Sequence, residues 1–230
     1  MALPILETAK YTLTLPSTKK KIEYRPFLVK EEKILLLAQQ SGKTDQMFSA
    51  MREIVDACTF QKLDIPNLCI FDLEFIFLKL RAKSIGEIVE LGLKCKECEA
   101  INDVSINIDT VSVKYPRKKA DSKVQLTDQI GVICTYPKVK SMHLMQSGDP
   151  FDMISTALES IYDSEQVYSV SDESPEEIQR FIESLSHKQI EMITGFLETA
   201  PSVSHKVKFD CNSCSKKNEV VVEGTESFFG

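Results

Sequence analysis

The chain has no apolar run long enough to cross a bilayer. Its most apolar stretches, Ile34 to Ala38 and Leu73 to Leu78, fall far short of the roughly 20 residues that a membrane-spanning helix needs. Its N-terminus has no basic segment followed by an apolar one, so no leader is expected and the chain should stay in the cytosol where it is made. No low-complexity stretch dominates, which excludes disorder except locally. Histidine is scarce: His143, His187 and His205 are scattered and have no nucleophile or carboxylate partners in sequence. Ser41-Gly42-Lys43-Thr44 has the ending of a phosphate loop, but the glycine that the motif requires five residues before Gly42 is Leu37. No constellation for acyl transfer, glycoside hydrolysis or phosphoryl transfer is present. The paired acids Glu31-Glu32 and Glu176-Glu177 stand at expected helix starts, where the helix dipole accounts for them. No enzymatic activity and no small-molecule substrate are expected.

What is present is an ordinary soluble composition. The 230 residues are 43% hydrophobic and 27% charged, and a compact chain of this length buries roughly 70–75% of its unfolded surface. The net charge of −6 argues against general affinity for nucleic acid, but the charge is unevenly spread. From Lys114 to Lys140 seven basic residues face two acidic ones, whereas from Asp149 to Glu191 eleven acidic residues face two basic ones. Such asymmetry can steer a complementary partner. Within the basic run, Lys114-Tyr115-Pro116-Arg117-Lys118-Lys119 reads as a solvated or protein-docking loop. Its alternative is a nucleic-acid contact, with Lys118 and Lys119 on phosphate and tyrosine stacking on a base.

The strongest chemical signal is a duplication. Of seven cysteines, four form two pairs of identical spacing, Cys95-Lys96-Glu97-Cys98 and Cys211-Asn212-Ser213-Cys214, with 112 residues between them. Each pair lies between alternating segments, Leu91 to Lys94 and Val104 to Ile108 around the first, Val207 to Asp210 and Val220 to Val222 around the second. Both read as strand, knuckle, strand. A two-residue spacer lets the backbone turn around one ion while two thiolates face it, and two such knuckles supply the four sulfurs of a tetrahedral zinc site. A redox dithiol would sit in a strand-to-helix context, and an iron–sulfur cluster also accepts four cysteines; the hairpin setting favours one structural zinc. Four thiolates leave no open position for water, so the metal is not catalytic. Losing the ion is expected to loosen the protein and disturb both halves of a split zinc ribbon. Cys58, Cys69 and Cys134 have apolar neighbours and read as small core residues.

The rest of the chain predicts an α+β fold, with a mainly helical body, an N-terminal hairpin and the two knuckle hairpins. Tyr11–Leu15 and Lys21–Tyr24 alternate as a hairpin; Lys30–Ser41 is a helix stopped by Gly42; a second helix is capped by Thr44 or Asp45. Phe71–Ala82, apolar almost all round, is expected to be a central buried helix. Strand character returns between Val124 and Pro137, Phe151–Ile161 has helical spacing, and the acidic run from Asp163 to Ser174 reads as a loop. Ser174-Pro175-Glu176-Glu177 and Ser186-His187-Lys188-Gln189 are capping boxes that open two further helices. The expected organisation is a hairpin and helical region over 1–90, the ribbon over 91–110 and 203–224, and a basic loop, strand and helical region over 111–202. One compact unit would be closed by the metal.

Three ordered segments carry a resemblance: Tyr24-Arg25-Pro26-Phe27-Leu28-Val29-Lys30-Glu31-Glu32-Lys33; Phe71-Asp72-Leu73-Glu74 leading into Leu80-Arg81-Ala82-Lys83-Ser84-Ile85-Gly86-Glu87; and Gly195-Phe196-Leu197-Glu198-Thr199-Ala200-Pro201. Together they resemble the baseplate hub assembly proteins of T-even-type contractile-tailed phages. The resemblance implies a late assembly role, chaperone-like, in the host cell cytoplasm, with other hub or tail proteins as partners. It leaves open whether the protein stays in the virion baseplate. Arg25, Phe27 and Arg81 are then candidate docking residues, with internal packing and helix capping as the alternative; Lys118 and Lys119 are further docking candidates, and the terminal Phe228 and Phe229 either pack on the core or anchor into a partner. The runner-up reading is a zinc-ribbon nucleic-acid-binding or transcription factor.

Overall fold

A computed structural model describes residues 6–116 and 121–224. Contacts divide the chain into two compact units. Among the described residues, the first takes 6–65, 71–114 and 202–224; the second takes 66–70, 115–116 and 121–201. The class is α+β, with seven α-helices and several small antiparallel sheets among the described residues.

The first unit opens with the expected hairpin, β1 (Tyr11–Thr14) paired with β2 (Lys21–Tyr24). Helix α1 (Val29–Ser41) ends at Gly42, whose φ of 63° is the left-handed conformation that glycine adopts without steric cost, and its N–H bonds to Gln39 O. Helix α2 (Thr44–Cys58) does not use the expected cap. Its N-cap is Lys43, which makes no side-chain bond, while Asp45 lies in the first turn where the dipole favours it. Helix α3 (Ile70–Ser84) is buried on several sides, through Phe71, Leu73, Ile76, Phe77, Leu78 and Leu80. Two hairpin strands follow, β3 (Ile88–Lys94) and β4 (Ile101–Asn107), then a short β5 (Ser112–Lys114).

The second unit is built around a four-stranded antiparallel sheet, richer in strand than the sequence suggests. Strands β6 (Lys123–Gln125) and β7 (Gly131–Cys134) precede the short helix α4 (Met142–Gln146) and helix α5 (Pro150–Ala157). The helical spacing expected to run to Ile161 stops at Ala157, and Leu158–Tyr162 is strand β8. Over five residues, helical and alternating patterns of apolar side chains coincide. Pairing with β7 decides the matter, burying Leu158 and Ser160 and exposing Glu159 between them. The acidic run is not wholly loop either, because β9 (Val167–Ser169) adds to β8.

Helices α6 (Pro175–Glu183) and α7 (His187–Leu197) open on both expected capping boxes, with Glu177 and Gln189 accepting the amides of Ser174 and Ser186. Val132, Cys134, Ile154, Leu158, Ile182, Ile193 and Phe196 form the core of this unit. The chain then returns to the first unit in β10 (Ser202–Asp210) and β11 (Lys217–Glu223), with β10 central between β11 and β5.

Leu78 and Ala82 of α3 share one apolar cluster with Val89, Leu91 and Ile106 of the first knuckle hairpin and with Val203, Val207 and Val222 of the second. Both halves of the expected ribbon therefore belong to one unit and one core. No helix is long and apolar enough to cross a membrane among the described residues.

Candidate metal centre

The two knuckles are built alike. In the first, the Cys95 amide donates to Ala100 O at 2.9 Å and the Glu99 amide to Cys95 O at 3.0 Å; in the second, Cys211 donates to Lys216 O at 2.9 Å and Ser215 to Cys211 O at 2.8 Å. Each turn needs a left-handed residue four positions after its first cysteine, and both use a non-glycine there, Glu99 and Ser215, each with φ 58°. Such a residue costs about 1–2 kcal/mol, so its recurrence marks a geometry that the rest of the knuckle imposes. The turn also aims amides at sulfur. Glu97 N lies 3.5 Å from Cys95 Sγ, and Ser213 N lies 3.4 Å from Cys211 Sγ.

The hairpins bring the knuckles face to face with near two-fold symmetry. Cys95 Sγ is 3.7 Å from Cys214 Sγ, Cys98 Sγ is 3.6 Å from Cys211 Sγ, and all four sulfurs lie within 4.8 Å of one another. A tetrahedral ion with bonds of about 2.3 Å separates its sulfurs by about 3.8 Å. The first cysteine of each pair is buried and the second exposed.

Electrostatics within the cluster are uneven. The amides of Cys98 and Glu97 hold the Cys95 thiol down to about 6. The Cys214 amide, against the cost of burial and with help from the Ser213 amide, lowers Cys211. At Cys214 the Lys216 amide pulls downward, but the Cys98 thiol, burial and the Cys211 and Cys95 thiols together push the group up to about 12. Four thiols this close cannot all ionise near neutral pH unless a cation offsets the charge, and that offset is what a thiolate-bound dication supplies. Cys58 and Cys134, by contrast, are buried and pushed up to about 11 by loss of solvent, as expected of inert core thiols. Cys69 is half-buried in an isolated bridge with Lys138.

A family model described as T4 bacteriophage base plate protein matches residues 8–230. The chain belongs to that family. No curated protein and no solved structure matches it. Membership of the T4 base plate protein family gives the chain a structural or assembly role in a phage baseplate, among other tail or baseplate proteins.

The segments that carried the resemblance are mostly internal joints of this base plate protein. Arg25 and Glu31 form an ion pair at 2.8 Å with side chains 11% and 3% exposed, the Arg25 amide donates to Cys58 O, and Glu31 also accepts the Leu28 amide at 2.8 Å. Phe27 is buried, and its amide donates to Ser84 Oγ at 2.9 Å. Asp72 is fully buried and accepts both the amide and the hydroxyl of Ser17, which ties the β1–β2 turn to α3. In the other unit, Phe196 stacks on Tyr136 with ring centres 4.9 Å apart.

Among the sequence-based docking candidates, then, Arg25 and Phe27 are occupied by intramolecular partners, and Arg81 is half-buried in the last turn of α3. Lys118, Lys119, Phe228 and Phe229 lie outside the described residues.

Sequence reasoning passed over two residues of the candidate metal centre. Asn102 and Asn218 are buried in the knuckles, and each stands seven residues after the first cysteine of its pair. Extending the comparison of the two repeats a few residues past the second cysteine would have shown them.

Proposed function

We propose that this protein is a non-enzymatic assembly factor that binds hub subunits and promotes assembly of the baseplate hub in the infected host cell, and that one structural zinc ion on Cys95, Cys98, Cys211 and Cys214 fixes its knuckles. The family match over residues 8–230 supports the baseplate role, and the four sulfurs within 4.8 Å carry the reading of the metal. Zinc is favoured by the cross-knuckle separations of 3.6 and 3.7 Å and by an all-thiolate donor set held between strands. Its task is mechanical. The ion neutralises thiolates that repel one another and pins the two hairpin tips together, so that the first unit presents one fixed surface.

The test combines composition with partnership. Purified protein should contain one zinc per chain by elemental analysis and native mass spectrometry, and Cys98→Ser or Cys214→Ser should reduce that to none. Co-expression with the hub proteins of the same phage should yield a stable complex. Failure to recover any hub subunit would overturn the assembly reading, and a metal-free chain would overturn the zinc reading.

A further inference from the structure

The reading of the four cysteines as a metal centre leads to its two asparagines. Asn102 Nδ2 donates to Ala100 O in its own knuckle at 2.8 Å, and Asn102 Oδ1 accepts the Asn212 amide of the other knuckle at 2.8 Å. Asn218 does the same from the second knuckle: its Nδ2 donates to Lys216 O at 2.9 Å and its Oδ1 accepts the Lys96 amide at 3.0 Å. Each asparagine therefore braces its own turn and reaches across to the residue that follows the opposing first cysteine. These bonds use no sulfur and need no ion. Both side chains are nearly sealed from water, 2% and 5% exposed, so breaking either bridge strands a buried polar group.

The symmetry ends at sulfur. Asn218 Nδ2 also lies 3.4 Å from Cys95 Sγ, whereas Asn102 Nδ2 has its second contact with Leu93 O at 3.5 Å. A dication with four thiolates carries a net charge of −2, and an N–H aimed at one sulfur disperses part of it.

We propose that Asn102 and Asn218 are positioning residues of the thiol centre: the pair docks the knuckles before metal arrives, and Asn218 alone also tunes the Cys95–metal bond. The centre is thus a prebuilt socket with one sulfur distinguished from the other three. It would take a thiophilic divalent ion with little rearrangement of the backbone. Removal of an outer hydrogen-bond partner of a ligand commonly weakens metal binding by about 10–100-fold, and Asn218 falls in that class.

Cobalt(II) titration of the full chain separates the parts of this proposal, because sulfur-to-cobalt charge-transfer bands report directly on the thiolates. Asn218→Ala should weaken cobalt affinity by about 10–100-fold and shift those bands. Asn102→Ala should weaken affinity without shifting them. Asn218→Asp, which retains an acceptor for the Lys96 amide but loses the donor to sulfur, should keep the shifted spectrum. In the metal-free wild type, the Lys96 and Asn212 amides should remain protected from hydrogen exchange, a measurement that does not depend on any variant folding.

Wild-type affinity in both alanine variants, or rapid exchange of both amides without metal, would overturn the positioning role. Equal band shifts in the two variants would overturn the special contact to Cys95. A wild-type chain that binds no cobalt, yet keeps both amides protected, would overturn the metal reading itself and with it the tuning role.

Discussion

Glu31 and Asp72 are carboxylates buried in the same unit, and their surroundings drive them in opposite directions. Burial works against the Glu31 charge, but the Arg25 guanidinium and the Leu28 amide more than offset it and hold the carboxyl below its usual range. Its stabilising contribution is therefore present above the ordinary carboxylate range and is lost as pH falls through the depressed value of the folded state. At Asp72 burial outweighs the hydrogen bonds from Ser17 and raises the group. Its contribution is greatest below the unfolded-state value and declines as pH rises through the folded one.

Glu31→Gln should destabilise the protein at neutral pH by about 3–5 kcal/mol, because Arg25 is left buried with its charge uncompensated, and the difference should close in acid. Asp72→Asn keeps an acceptor for the Ser17 amide and a polar partner for its hydroxyl. It should be neutral or stabilising at neutral pH and lose that relative advantage in acid. Urea unfolding of both variants across about pH 3–8 reads the two trends, and parallel profiles would sink the assignment.

At the level of elements, α3 explains how far a metal on the four thiols would matter. The sequence alone suggests that a long-range clasp would hold distant halves of the chain together. In the structure both knuckle hairpins already share an apolar cluster with α3, and the thiols join only their tips. Chelation should accordingly lower the melting temperature while leaving the far-ultraviolet circular dichroism spectrum nearly intact. Collapse of that spectrum would mean that the cluster does not hold the hairpins without the ion.

Some elements were legible because their signals are local. The capping boxes at Ser174 and Ser186, the glycine stop at Gly42 and the alternation around both knuckles each depend on neighbours a few residues away. Leu158–Tyr162 was not legible, because β7 lies more than twenty residues upstream and its pairing converts a helical pattern into a strand. The Asp72–Ser17 contact was not legible for the same reason, its partners standing 55 residues apart, whereas Arg25 stands only six residues before Glu31 and their pairing shows only in the packing. A charge at a helix start looks like a dipole partner until the packing shows that Arg25 or Ser17 faces it.

For the whole molecule, charge is unevenly placed. The acidic stretch from Asp149 to Glu191 lies in the second unit, as do Lys123, Lys138 and Lys140 of the basic stretch. If a hub subunit meets the acidic stretch, its association rate should fall steeply with ionic strength while the dissociation rate changes little. Stopped-flow mixing with the co-expressed partner at several salt concentrations would check this, and a salt-independent rate would exclude steering by that stretch.

The sequence by itself determined the four thiols, their spacing, the strands on either side and the family to which the chain belongs, since each is written in contiguous residues. Only the tertiary structure decided which sulfurs face each other, that Asn102 and Asn218 bridge the knuckles, and that Arg25, Phe27 and Asp72 are joints within the fold. Apart from the Arg25–Glu31 pair, whose members are six residues apart, those facts depend on residues tens to more than a hundred positions apart. Such partners are chosen by burial and hydrogen bonding in the folded core, which no local pattern encodes.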